Sequence, residues 1–254
     1  MSEYGSFAGV YDLFMGEIPY EEWCEYLTGL LKEYGVKDGL LLELGCGTGN
    51  MTELLAKKGY DMTGIDASSD MLQEALLKRE KSGLPILYLQ QDMREFELYG
   101  TMAGIVSVCD TMNYLLEEED FIETLRLVNN YLDPGGVFIF DLKTEHYYRD
   151  VLGERTEAVN EEEAAYIWEN DYYEEDRINA YQLTLFTRRE NGLFARSEEY
   201  HEQRAYSVSE IRKMADKAGL EFVKAYDAFT REDAKPESER IYIVLREKGK
   251  KEGQ

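Results

Sequence analysis

Glu43-Leu44-Gly45-Cys46-Gly47-Thr48-Gly49-Asn50 is the stretch on which the reading of this chain turns. The run leading into it, Leu40–Leu44 (LLLEL), is short and apolar and ends in glycines, as a buried strand does. The run leaving it, Asn50–Lys58, has helical character and is closed by Gly59. A glycine-rich link from strand to helix lets the backbone turn sharply and lets a ligand approach with no Cβ in the way. The helix start adds free N–H groups. The Gly-Lys-Ser/Thr ending of a phosphate loop is missing. So is the GxGxxG of dinucleotide folds, because Asn50 stands at the sixth position and the spacing is GxGxG.

Outward from this loop, strand-like and helical segments alternate. Tyr20–Tyr34 has helical apolar spacing. Asp61–Asp66 reads as a strand, followed by a helix capped by Ser68 or Ser69 and stopped at Gly83. Ile86–Gln90 and Ile105–Cys109 read as strands, and Asp120–Leu132 as a helix halted by Asp133-Pro134-Gly135-Gly136. Val137–Leu142 is a fifth strand. Such alternation implies parallel pairing and an α/β, Rossmann-like doubly wound sheet. The texture then changes. Ala165–Tyr173, Asn179–Arg188 and Phe194–Arg204 look like three antiparallel strands, with Asn191-Gly192 as a hairpin signal. Ser207 or Ser209 caps a further helix, and Leu220–Phe229 and Ile241–Arg246 supply two last strands. The expected organisation is one domain of residues 1–150 and 207–247, with lid helices in 1–35. An antiparallel β cap at 151–206 is inserted after strand 5, and 248–254 form a flexible tail.

The chain has 254 residues and a formal net charge of −24. That excess disfavours nucleic acid, whose binding rests on cationic side chains, and disfavours an anionic membrane surface. A small-molecule partner fits better. No apolar run approaches the roughly 20 residues of a membrane helix. The opening MSEYGSFAGVYD is neither a signal nor a transit peptide, so a cytoplasmic location is expected. Three cysteines without a CxxC and only two histidines leave little for a disulfide framework or a metal site.

With these features in place, Glu43-x-Gly45-x-Gly47-x-Gly49 resembles motif I of class I S-adenosylmethionine-dependent methyltransferases. The resemblance implies a seven-stranded sheet with its last strand antiparallel, and S-adenosyl-L-methionine as cofactor. It extends over roughly residues 7–247. It implies cofactor contacts from Glu43, Gly45, Cys46, Gly47 and Gly49. Asp66 would accept hydrogen bonds from the ribose hydroxyls, and Ala67 and Met71 would flank the adenine. Asp92, between Gln91 and Met93, would bond the adenine amine, with the next backbone N–H reaching its ring. Cys109 and Asp110, closing the fourth strand, would line the methyl-transfer site together with Asn113. Phe7-Ala8-x-Val10-Tyr11-Asp12-x-Phe14-Met15 resembles the YD opening of small-molecule methyltransferases, in which the tyrosine matched by Tyr11 faces the methyl group. The cap is similar to that of glycine-type and amino-sugar N-methyltransferases, where it shapes the acceptor pocket and in some members builds a dimer, so a monomer or homodimer is expected.

Methyl transfer demands alignment, exclusion of water and an unprotonated nucleophile. His201 is the best candidate for a base, because imidazole titrates near neutral pH. Strand alternation puts His201 and Gln203 on one face and Tyr200, Glu202 and Arg204 on the other. His146 follows the fifth strand near the expected mouth. The expected catalytic set is therefore Tyr11, His201 and Asn113, acting on a nitrogen or oxygen of a small acceptor. A non-catalytic cofactor-binding regulator, an RNA methyltransferase and a nicotinamide-dependent enzyme stand as alternatives.

Overall fold

A computed structural model describes Ala8, Tyr11, Asp12 and residues 18–189 and 191–249. Phe7, Val10, Phe14 and Met15 of the opening motif, and the tail from residue 250, lie outside the described residues. Helix α1 (Tyr20–Glu33) precedes β1 (Leu40–Leu44) and α2 (Asn50–Lys57). Next come β2 (Asp61–Asp66), α3 (Ser69–Ser82), β3 (Leu87–Gln90) and β4 (Met102–Ser107). Ser68, not Ser69, caps α3. A 3₁₀ turn, Thr111–Tyr114, links β4 to α4 (Glu118–Tyr131) and β5 (Leu132–Lys143).

A single π-helical turn, Tyr147–Leu152, leads to the four-stranded layer β6 (Arg155–Asn160), β7 (Ala164–Tyr173), β8 (Ile178–Arg188) and β9 (Phe194–Arg204). Helix α5 (Val208–Lys217) starts at a full capping box between Ser207 and Glu210, and β10 (Leu220–Asp227) and β11 (Arg240–Glu247) follow.

The large sheet has seven strands in the order β10-β11-β5-β4-β1-β2-β3. Pairs among β1 to β5 are parallel, whereas β11 runs antiparallel to both β5 and β10. Alternating side chains fill both faces. Leu42, Leu44, Phe138 and Phe140 pack with Phe121, Leu125, Ile211 and Met214 on one side. Leu41, Val106, Ile139 and Tyr242 pack with Leu27, Leu30, Leu31 and Leu55 on the other. The chain order reverses between β1 and β4, which opens a crevice at their carboxyl ends.

The antiparallel layer β6-β7-β8-β9 has one strand more than the sequence suggests. β6 reads RTEAVN and is exposed at nearly every position, so it carries no apolar alternation to detect. Among the described residues no helix is long and apolar enough to cross a membrane.

Candidate active site

The glycine loop takes three left-handed residues in alternation: φ is +66° at Gly45, +53° at Gly47 and +80° at Gly49. Two of them are also sterically required. A Cβ at Gly45 would lie 2.2 Å from the Thr111 methyl, and one at Gly49 would lie 2.3 Å from the Tyr88 hydroxyl. A Cβ at Gly47 would meet nothing within 4 Å, so the space above that residue is open. The Cys46 N–H donates to Ile65 O at 2.9 Å, tying the loop to β2, and its side chain is buried.

Asp66 ends β2 and completes the tie. One carboxylate oxygen accepts the Gly47 N–H and the other the Ser68 N–H, each at 2.8 Å. Burial pushes the Asp66 carboxyl up, and these two bonds oppose it. A carboxylate offers about four acceptor positions, so two remain for a diol. Glu43 is buried beneath the loop and accepts a hydrogen bond from Thr52 Oγ1 on α2. Burial, opposed by that bond and aided by the charge of Asp66, pushes Glu43 up to about 8.

A cavity of about 430 Å³ opens beside Asp66 and is lined by Ala67, Gln90, Gln91, Asp92, Glu95 and Glu97. Ala67, Gln91 and Asp92 thus meet there, as expected from sequence. Their side chains are already engaged in part: Gln91 brackets the backbone of Glu97, and Asp92 is gripped by Arg94, which also bridges to Asp120. The Arg94 hydrogen bonds hold the Asp92 carboxyl below its usual range. Met71 sits in the first turn of α3, its N–H on the Ser68 hydroxyl. The Met93 side chain is partly buried against the core, and the expectation at this residue concerns its backbone N–H.

At the end of β4, Cys109 and Asp110 both have positive φ, +62° and +54°. Such backbone in non-glycine residues costs of order 1–3 kcal/mol each and persists only where the surroundings over-determine it. Here they do. The Asp110 N–H donates to Asp141 at 2.9 Å. Its carboxylate accepts Gln203 Nε2 and an Arg240 nitrogen, both at 2.8 Å, with Lys143 Nζ at 3.4 Å. Arg240 also binds Asp141. Burial alone would raise the Asp110 carboxyl, but Lys143, Arg240 and Gln203 hold it far below its ordinary value. The Asp110 side chain is thereby committed to the protein, and its backbone carbonyl accepts the Asn113 N–H at 3.0 Å.

Asn113 stands in the turn after β4. It is fully buried, its amide donates to Lys143 O at 3.1 Å and Arg204 O at 2.8 Å, and its oxygen accepts the Lys143 N–H at 3.0 Å. It pins the end of β4, β5 and β9 together.

Tyr11 packs over the end of β4. Burial raises its hydroxyl well above the usual range, and it is hydrogen-bonded to Tyr20 and close to Cys109 and Asp110. Asp12 reaches the glycine loop itself, accepting from Thr48 Oγ1 at 2.8 Å and Asn50 Nδ2 at 2.9 Å and pairing with Lys78.

Across the crevice, the inner face of the small sheet surrounds His201, singled out from sequence, with Tyr114, Trp168, Tyr181 and Glu199, which were not. His201 stacks on Tyr181, centroids 4.8 Å apart and planes 16° apart, as its cross-strand partner. His201 Nδ1 lies 3.3 Å from Tyr114 Oη and His201 Nε2 lies 3.1 Å from Glu199. Trp168 packs on Tyr181 at 4.7 Å. Tyr114 keeps 40% of its surface accessible although it stands between the two sheets. The alternation Glu199, His201, Gln203 was the available signal for this face. By contrast, His146 pairs with Asp150 in its own helical turn. A second cavity, about 530 Å³, lies at the carboxyl ends of β5 and β10 between Lys143, Tyr147, Phe229, Lys235 and Arg240.

These features are those of an enzyme that binds an adenosyl ligand across the switch point of an open α/β sheet, and the comparisons agree. Residues 41–136 match a family described as a methyltransferase domain. The chain is 35% identical over 242 residues to YqeM of Bacillus subtilis (strain 168), which carries a provisional designation as a methyltransferase. The match spans 94% of this chain and 95% of that one.

It is 31% identical over 137 residues, 53% of this chain and 56% of the other, to the dTDP-3-amino-3,4,6-trideoxy-alpha-D-glucopyranose N,N-dimethyltransferase of Streptomyces venezuelae. The crystal structure of an S-adenosylmethionine-dependent methyltransferase from Clostridium acetobutylicum ATCC 824 superposes with a TM-score of 0.85 at 29% identity, covering 97% of this chain and 99% of that one. The chain belongs to the S-adenosylmethionine-dependent methyltransferases, and S-adenosylmethionine is its cofactor.

Proposed function

We propose that this enzyme methylates the nitrogen of a small-molecule amine held between its two sheets. One observation carries the reading: the crevice wall opposite the glycine loop is both aromatic and acidic. Tyr114, Trp168, Tyr181 and His201 form one cluster of packed rings beside Glu199. Stacked rings attract a cation by their quadrupole, and a neighbouring carboxylate adds to the attraction. Trp168 Nε1 is buried with no acceptor among the described residues, a donor suited to an oxygen of the same ligand. The N,N-dimethyltransferase of Streptomyces venezuelae supports an amine, and the net charge of −24 supports a cationic partner over an anionic one.

The residues present fit the cofactor. Gly47 leaves open space, Asp66 keeps two acceptor positions for the sugar hydroxyls, and Ala67 and Asp92 line a cavity at the adenine end. Gly45, Cys46 and Gly49 shape the turn, Glu43 supports it from below, and the backbone of Cys109 and Asp110 meets the amino-acid end. Bound there, the cofactor supplies an electrophilic methyl group on a sulfonium. Tyr11 and Tyr20 close over the same place and exclude water. The three described cysteines are free, as in a reducing cytoplasm.

The test is S-adenosylhomocysteine production with a panel of small primary and secondary amines beside matched alcohols and phenols. Turnover with amines supports the reading. Turnover confined to the hydroxyl arm assigns the reaction to oxygen, and cofactor binding without turnover on either arm favours a regulator.

A further inference from the structure

We propose that Tyr114, His201 and Glu199 form a proton relay that strips the acceptor ammonium before methyl transfer; this rests on the amine reading above. Glu199 and His201 are two residues apart on β9 and so share a face, and β9 pairs in register with β8 to set Tyr181 beside the imidazole. A carboxylate only accepts hydrogen bonds. Glu199, 3.1 Å from Nε2, therefore fixes the neutral ring with its proton on Nε2 and leaves Nδ1 as the acceptor facing Tyr114 Oη. Tyr114 Oη is also 2.8 Å from Tyr181 Oη. With Tyr181 donating, the Tyr114 oxygen keeps a lone pair for a proton arriving from the crevice while its own proton points at His201.

The entrance of the relay adjoins the cofactor loop. Tyr114 closes the 3₁₀ turn that begins at Thr111, and Thr111 is the residue that a Cβ at Gly45 would strike. Burial, with the charges of Asp110, Glu199 and Asp66 adding to it, raises the Tyr114 hydroxyl and disfavours a phenolate, so Tyr114 passes the proton on to His201. The acceptor N–H bond breaks as an O–H bond forms on Tyr114. The former Tyr114 O–H bond breaks as an N–H bond forms on His201 Nδ1. The nitrogen keeps its electron pair for the methyl carbon, and His201, whose side chain is 21% exposed, returns the proton to water. Glu199 and His201 are positioning and relay groups; Tyr114 is the one that meets the substrate.

The chain has only two histidines, so in His146→Gln the sole imidazole is His201. In ¹⁵N-labelled full-length protein without ligand, at alkaline pH, the Nε2 signal is expected in the protonated range and Nδ1 in the bare range. In Glu199→Gln, whose amide can donate as well as accept, the Nδ1–H tautomer is expected to become populated. The Nδ1–H tautomer in the parent, or an unchanged tautomer in Glu199→Gln, overturns the relay. With an equimolar pool of methylamine, ethanolamine and glucosamine as probe, Tyr114→Phe is expected to lower S-adenosylhomocysteine production about a hundredfold, as loss of acid–base assistance does, at unchanged S-adenosylhomocysteine affinity. Equal production by variant and parent overturns it. Failure of the parent to bind S-adenosylhomocysteine at all is a separate result that strikes the methyltransferase reading, whereas the tautomer in parent and Glu199→Gln reports on the relay alone.

Discussion

Asp66→Asn tests the proposed role of this carboxylate in cofactor recognition. The carboxylate spends one acceptor position on the Gly47 N–H and one on the Ser68 N–H, both at 2.8 Å, and keeps two for the sugar. Asparagine has the same shape but only one oxygen. Its amide nitrogen must face either a backbone N–H, donor against donor, or a sugar hydroxyl that had donated. One charge-assisted hydrogen bond is lost whichever way it turns, about 1.5–3 kcal/mol. That corresponds to roughly a ten- to hundredfold weaker Kd. Calorimetric titration with S-adenosylhomocysteine measures it, with thermal unfolding of the free variant run alongside. Asp61→Asn, at the exposed opposite end of β2, serves as the control. An Asp66→Asn protein that binds within twofold of the parent refutes the assignment and leaves Asp66 as a clamp on the loop only.

Gly45→Ala is expected to destabilise by about 2–5 kcal/mol, from left-handed backbone together with overpacking against Thr111, and Thr111→Ala is expected to restore part of the loss; a double-mutant thermal series checks it. Gly47→Ala, with free space around its Cβ, is expected to cost only the backbone component, about 1–2 kcal/mol, while weakening cofactor binding more than Gly45→Ala combined with Thr111→Ala.

Glu43 has a folded pKa of about 8, above its unfolded value. Its contribution is therefore fully present below the unfolded pKa and fades as pH rises through about 8. Glu43→Gln is expected to gain stability over the parent with a limiting slope of roughly 1.4 kcal/mol per pH unit within that window, read from denaturant titrations at several pH values. Asp12 is shifted the other way, since hydrogen bonds from Lys78, Thr48 and Asn50 outweigh its burial. Its hold on the loop is present above the unfolded pKa and is lost as pH falls through the folded one. Asp12→Asn is accordingly expected to speed S-adenosylhomocysteine release near neutral pH in a stopped-flow chase.

The large sheet was legible in the sequence because short strand-like runs alternate with helices from Leu40 to Leu142, save between β3 and β4, which no helix separates. The expected sheet, its antiparallel last strand and the inserted layer are all present. The misses have physical causes. β6 is wet on both faces and leaves no pattern. Asp133-Pro134-Gly135-Gly136 reads as a helix stop, yet β5 already begins at Leu132 and runs through it beside Met102. The site divides the same way. The glycine loop and Asp66 are local signals, whereas Asp110 meets Arg240 and Gln203, and Tyr114 meets His201, only through folding. The three bonds of Asn113 to β5 and β9 were invisible from its neighbours in sequence.

The post at Asn113 has a consequence for how such enzymes diversify. The grip proposed for the methyl donor comes from residues 43–113, the wall facing it mostly from 166–203, and the two stretches meet through hydrogen bonds that include those of Asn113, Asp110 and Gln203. Mutation can remodel the far wall for a new guest and leave the donor's berth untouched, provided those rivets hold. Natural variation among related chains is therefore expected to concentrate on the inward side chains of β7 to β9 and to spare the fasteners.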